Sequence, residues 1–221
     1  MGAGEMTDGN PEVRACLEAG DVRALQALVE LQPMKARALV RWGEGGKNTV
    51  PPLHFVCDCV FRGMIDQATA RALADVLLTA GVDPSEAYAR SGDTFLIAAA
   101  SLGAEDVGLR LLEAGVDVSA RGLFGATALH WAALMGCPRL VAGLVEAGAE
   151  LELLDDQYHC TPLQWTYHAW KTDDGAAGFR PPRALAATAR VFAQAGARVP
   201  HDPTLSRPKD AALLDAVAAK N

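Results

Sequence analysis

Residues 125–153 read GATALHWAALMGCPRLVAGLVEAGAELEL, and residues 92–120 read GDTFLIAAASLGAEDVGLRLLEAGVDVSA. Laid over each other, Thr94, Leu96, Gly103, Leu111 and Gly115 fall on Thr127, Leu129, Gly136, Leu144 and Gly148, a displacement of 33 residues. A third copy opens with Cys160-Thr161-Pro162-Leu163, displaced by 34, and a fourth opens upstream with Pro51-Pro52-Leu53-His54 and closes on LTAGVD at residues 78–83. Repetition at such a period marks stacked units rather than one conventional core.

Each unit reads as two short helices with a bend between them. Thr94, Thr127 and Thr161 are N-cap residues ahead of apolar stretches, and Gly103 and Gly136 follow where a left-handed residue ends a helix. In the second helix Val107, Leu111 and Leu112, or Leu140, Val141, Leu144 and Val145, recur at spacings of three and four as one apolar stripe. Helices this short are marginal alone, so neighbouring units must stack to cover each apolar face. Small residues at Ala98–Ala100 and at Ala132 and Ala133 let the first helices approach closely.

Thr127-Ala128-Leu129-His130-Trp131-Ala132-Ala133 followed by LVEAGAELEL resembles the ankyrin repeat, as does Thr161-Pro162-Leu163-Gln164-Trp165. The resemblance runs from Pro51 to about Val199, roughly two thirds of the chain. It implies an all-α solenoid of about five or six helix–turn–helix units with degenerate caps. Residues 1–10 are expected as a flexible tail and 11–221 as a single array. Within it lie an N-terminal cap and loop (11–50), repeats over 51–93, 94–126, 127–160 and 161–203, and a closing helix in 204–221.

Two units depart from the period. Leu53 to Gly81 spans 28 residues where Leu96 to Gly115 spans 19, so about nine extra residues fall around 61–72. About 14 more separate Leu163 from Gly196, and residues 171–178, KTDDGAAG, have loop chemistry. Residues 33–48, with Gly43, Gly45 and Gly46, read as a flexible loop without the spacing of a phosphate-binding loop.

The 221 residues are 50% hydrophobic and 21% charged, which argues for a folded chain rather than a long disordered segment. A net charge of −7 disfavours nucleic acid. No apolar run reaches the roughly 18–20 residues of a membrane span, the N-terminal residues do not resemble a secretion signal, and Met6 spoils a myristoylation motif. Five scattered cysteines, an odd number, suggest a reducing, cytoplasmic setting.

Cys57-Asp58-Cys59 is a weak metal or redox candidate, since residues two apart on a helix do not share a face. On the repeat alignment Cys57 takes a small packing slot, while Cys59 lies toward the exposed end and is the more reactive of the two. No metal, cofactor or catalytic set is expected. His54 and His130 occupy equivalent positions, and the resemblance implies that this histidine bonds neighbouring hairpins. Trp165 aligns with Trp131, which favours packing between repeats, while Tyr167 and Trp170 replace the usual small residues beside the longer insertion.

Ankyrin resemblance also implies a concave binding surface of hairpin tips and first-helix ends. On this chain these are Arg90, Ser91, Asp93 and Leu102, then Leu123, Phe124, Leu134 and Met135, then Gln157, Tyr158 and His168. The apolar members should be exposed, and an exposed apolar patch usually marks an interaction site. The expected function is a non-catalytic scaffold for a protein or peptide. The alternative is an enzyme or enzyme subunit using the inserted loops and the region from His159 to Trp170.

Overall fold

Helix pairs form where the caps and apolar stripes place them. The computed structural model describes residues 10–88, 92–172, 184–199 and 210–218. In chain order the helices are α1 (Pro11–Ala19), α2 (Val22–Leu31), α3 (Pro52–Phe61), α4 (Gln67–Thr79), α5 (Phe95–Ser101), α6 (Glu105–Glu113), α7 (Ala128–Met135) and α8 (Pro138–Glu146). They are followed by α9 (Pro162–Thr172), α10 (Leu185–Ala195) and α11 (Ala211–Ala218). Two compact units result, Met1–Pro84 and Ser85–Asn221.

In the second unit the first helices α5, α7 and α9 lie side by side, and so do the second helices α6, α8 and α10, with α11 closing on α10. Thr94 Oγ1 accepts from the Ile97 N–H at 3.3 Å, and Thr127 forms a reciprocal cap with His130. Thr161 and Gln164 repeat that exchange, the Thr161 N–H donating to Gln164 Oε1 at 2.7 Å and the Gln164 N–H to Thr161 Oγ1 at 3.3 Å. α7 ends on Gly136 at φ 68°, the left-handed value that its place in the repeat requires.

Behind the caps the apolar stripes close. Leu111, Leu129, Leu140, Leu144 and Phe192 have no exposed surface, each worth roughly 1.5–3 kcal/mol of burial. Ala99, Ala100, Ala132 and Ala133 are equally buried, which brings the first helices together. Glycines let the second helices α6 and α8 meet in the same way. A Cβ on Gly108 would lie 2.7 Å from Leu140 Cδ1, and one on Gly143 would lie 2.8 Å from Leu109 Cδ2.

The first unit packs α1 on α2 and α3, and α4 on α2 and α3. Asp21 caps α2 through the Ala24 N–H at 2.9 Å, and Asp66 caps α4 through the Thr69 N–H at 2.8 Å. Three expectations change here. Residues 33–48 are not a free loop, because β1 (Val40–Trp42) and β2 (Asn48–Val50) pair antiparallel with Val40 opposite Val50. Trp42 packs on Phe55 with ring centroids 6.1 Å apart, and Arg14 donates to the Arg41 carbonyl, so the hairpin is fastened to α1 and α3. The fold stays mainly α-helical, with this hairpin as a small addition.

The extra residues around 61–72 are not only a loop either. α3 has 10 residues against 7 in α5, and α4 has 13 against 9 in α6, so most of the insertion lengthens the two helices. Asn10, placed in the tail by the sequence, is buried and donates to the Lys35 and Ala38 carbonyls at 2.7 and 3.1 Å. The rest of that tail, and residues 173–183 of the longer insertion, lie outside the described residues.

Candidate functional site

Neighbouring hairpin tips in the second unit are tied by side chains that reach one repeat forward or back. Asp93 Oδ1 accepts from the Leu123 N–H at 2.9 Å. Arg121 donates to the Leu154 carbonyl at 2.8 Å and to Asp156 Oδ1 at 2.7 Å, while the Asp156 N–H meets the Phe124 carbonyl at 2.9 Å. His130 Nδ1 accepts from the Thr127 N–H at 3.2 Å, which leaves Nε2 to donate to the Cys160 carbonyl at 3.2 Å. The implied hairpin role of His130 is thus present. Its burial pushes the imidazole below its ordinary value, partly offset by the bond to Cys160.

Asp155 knots the last of these tips. Its buried carboxylate accepts from the N–H groups of Gln157, Tyr158 and Cys160 at 2.9, 2.5 and 3.0 Å, and from Trp165 Nε1 at 3.0 Å. Burial pushes this carboxyl up, but the donors outweigh it and hold the group below the usual carboxylate range.

On this frame sits a groove of 640 Å³ lined by Phe124, Trp131, Leu134, Tyr158, Cys160, Gln164, Trp165 and His168. Four aromatic rings touch in a closed circuit. Phe124 lies 6.2 Å from Trp131, Trp131 5.2 Å from Trp165, Trp165 6.1 Å from Tyr158, and Tyr158 5.7 Å from Phe124. Phe124 holds φ 64°, a left-handed backbone that a bulky residue adopts only when its surroundings enforce it. Here the Asp156 N–H on its carbonyl and the rings of Trp131 and Tyr158 do so.

Of the residues singled out from sequence, Phe124, Leu134, Tyr158 and His168 line this groove. Leu102 is half-buried and Leu123 is 46% exposed, both outside the lining. Gln157 is exposed on the knotted hairpin, and Asp93 is engaged in tying the next one. Arg90 and Ser91 lie outside the described residues. Met135 is a correction: it is only 7% exposed, and a Cβ on Gly103 would touch its Cε at 3.6 Å, so it packs between repeats.

Trp131, Trp165 and Gln164 join the lining although the sequence assigned the tryptophans to packing. They do both, because Trp165 is buried by its ring contacts yet borders the groove. A tryptophan at the same register in successive repeats was the available signal. Trp131 Nε1 is buried with no hydrogen-bond partner among the described residues.

The thiols lack the marks of nucleophiles. Cys59 is fully buried, and burial pushes it up to about 12, so the expected exposed and more reactive position is not found. Cys57 is raised further for the same reason. Cys160 is raised first by burial and then by the Asp155 charge, and its thiol donates to the Tyr158 carbonyl at 3.4 Å. Among the described residues no group of His, Cys, Asp and Glu is arranged to hold a metal, and no helix is long and apolar enough to cross a membrane.

Helix pairs stacked through small residues, with hairpin tips bonded one repeat apart and aromatic side chains displayed beside them, define a helical-repeat protein. Residues 65–155 match the family model "Ankyrin repeats (3 copies)", so this stretch of the chain is built of ankyrin repeats. It is also 33% identical over 87 residues to the E3 ubiquitin-protein ligase KEG of Arabidopsis thaliana. The matched stretch is 39% of this chain and 5% of that ligase, so the likeness concerns the repeats.

Proposed function

We propose that this chain is a non-catalytic interaction module that binds a protein or peptide in the groove of its second unit. Ankyrin repeats are generally protein-interaction modules, and the match of residues 65–155 to them supports the reading. The observation that carries it is the exposure of large aromatic surface on an enforced backbone. Tyr158 is 58% exposed, and Phe124 is kept left-handed beside it. A strained aromatic at a surface groove fits a binding anchor better than a packing residue.

The net charge of −7 supports a protein ligand over nucleic acid. All five cysteines are free thiols, which supports a reducing, cytoplasmic setting. Enzymatic use of His159 to Trp170 finds no comparable support, because burial and the Asp155 charge push the Cys160 thiol up, away from the nucleophilic thiolate.

Peptides selected from a displayed library on the intact protein test this reading. Phe124→Glu and Tyr158→Glu should each weaken the selected peptides at least tenfold, about 1.4 kcal/mol, with thermal unfolding within a few degrees of the parent. Binding within twofold of the parent in both folded variants would place the site elsewhere.

A further inference from the structure

We propose that the first unit binds a second copy of this chain through the outer face of α2, an inference independent of the groove in the second unit. α2 turns Leu25 and Val29 into the unit, where they are buried, and leaves Ala24, Ala27 and Leu31 exposed. Those three stand at spacings of three and four, the register of a seam between two helices rather than of a solvated face. Leu31 is 81% exposed, and Met34, in the helical turn over Pro33–Ala36 that follows, is 76% exposed. Apolar side chains gathered on one exposed face mark an interaction surface.

The charges beside the seam select the occupant. Arg23 and Glu30 directly precede the seam residues Ala24 and Leu31, so both lie on the same flank of α2. Seven residues put them about 10 Å apart along the axis, too far to pair within their own helix. When two such helices cross antiparallel about a two-fold axis, like flanks meet. Ala24 then packs on Ala27 of the partner subunit, Arg23 reaches Glu30 of the partner subunit, and the axis repeats both contacts. Gln26 Nε2 donates to Glu30 Oε1 at 3.0 Å, which holds that carboxylate on this flank. Glu30 and Asp75 of α4 also line a groove of 480 Å³ with no Lys or Arg among its described residues, so a second carboxylate faces the incoming guanidinium. A parallel crossing would set this flank against Leu28 of the partner subunit and leave both charges unmatched. The surface is thus complementary to itself, as a two-fold interface must be.

Sedimentation equilibrium on the full chain tests this. The parent should form a reversible monomer–dimer mixture, and Leu31→Glu should weaken dimerisation at least tenfold with its helix content unchanged by circular dichroism. Arg23→Glu and Glu30→Arg should each weaken it at least threefold, since the axis doubles every reversed contact. Mixed in equal amounts, these two variants should associate at least threefold more tightly than either does alone, because opposite charges then meet on both sides of the axis. Mere loss of local packing would not be rescued by mixing. A chain that stays monomeric up to about 0.5 mM overturns the proposal, as does a dimer that Leu31→Glu leaves intact. Mixed variants that associate no better than each alone overturn the antiparallel pairing of α2.

Discussion

Four donors converge on the Asp155 carboxylate, and one imidazole bridges the tip it organises to the helix before it. These two residues decide whether the hairpin tips keep their spacing. His130 was legible as a hairpin bond because the repeat pattern marks its position. Asp155 was not, since an aspartate ahead of a turn reads as ordinary loop chemistry until its partners are seen. Phe124 was legible as exposed and apolar, but nothing in a sequence marks a phenylalanine for the left-handed region. The lowered His130 value has a definite sign. The unfolded chain takes up a proton near pH 6.5 while the folded chain resists it, so this stability is whole above that pH. It is lost as pH falls from there through the folded value. Gln164, in the equivalent place one repeat on, makes the same cap without an ionisable group. His130→Gln should therefore fold and show a flatter loss of stability than the parent between about pH 6.5 and 5 in urea unfolding. An unchanged acid slope would place the sensitivity elsewhere.

Elements were read well where a stripe and a cap agreed. The second helices α6 and α8 follow the apolar spacing of three and four, and the buried residues Val107, Leu111, Leu140, Val141 and Leu144 are the ones that spacing named. Three-residue strands carry too little pattern to be seen, so β1 and β2 were missed behind glycines that looked like loop. The position of the insertion near residues 61–72 was legible, but its fate was not. Adding residues at a helix-to-helix turn can lengthen either helix if the new turns find apolar partners, as Ala70 and Leu73 of α4 do. Gly108 also escaped notice, because glycine inside a helix ordinarily counts against it. Its role is contact between α6 and α8. Gly108→Ala should gain helix propensity of up to about 1 kcal/mol and lose more to overpacking against the fully buried Leu140, a net loss of about 1 kcal/mol. Chemical denaturation measures it, and a stabilised variant would show that the two helices have room to part.

At the scale of the molecule, the period of 33 announced the architecture, while composition spoke mainly for a folded chain. The surface was only half readable. Adjacent residues Leu134 and Met135 look interchangeable in the sequence, yet helix rotation turns one into the groove and the other between repeats. Two tryptophans one repeat apart were legible as packing, while the groove they border depends on how neighbouring repeats present their rings. The central claim, that the second unit displays an aromatic groove for a protein partner, is tested most directly by indole N–H spectra during titration with a library-selected peptide. Trp131 and Trp165 should shift in step with binding while Trp42, packed on Phe55 in the first unit, stays in place. A saturating peptide that moves the Trp42 signal and leaves Trp131 and Trp165 unchanged would contradict the account.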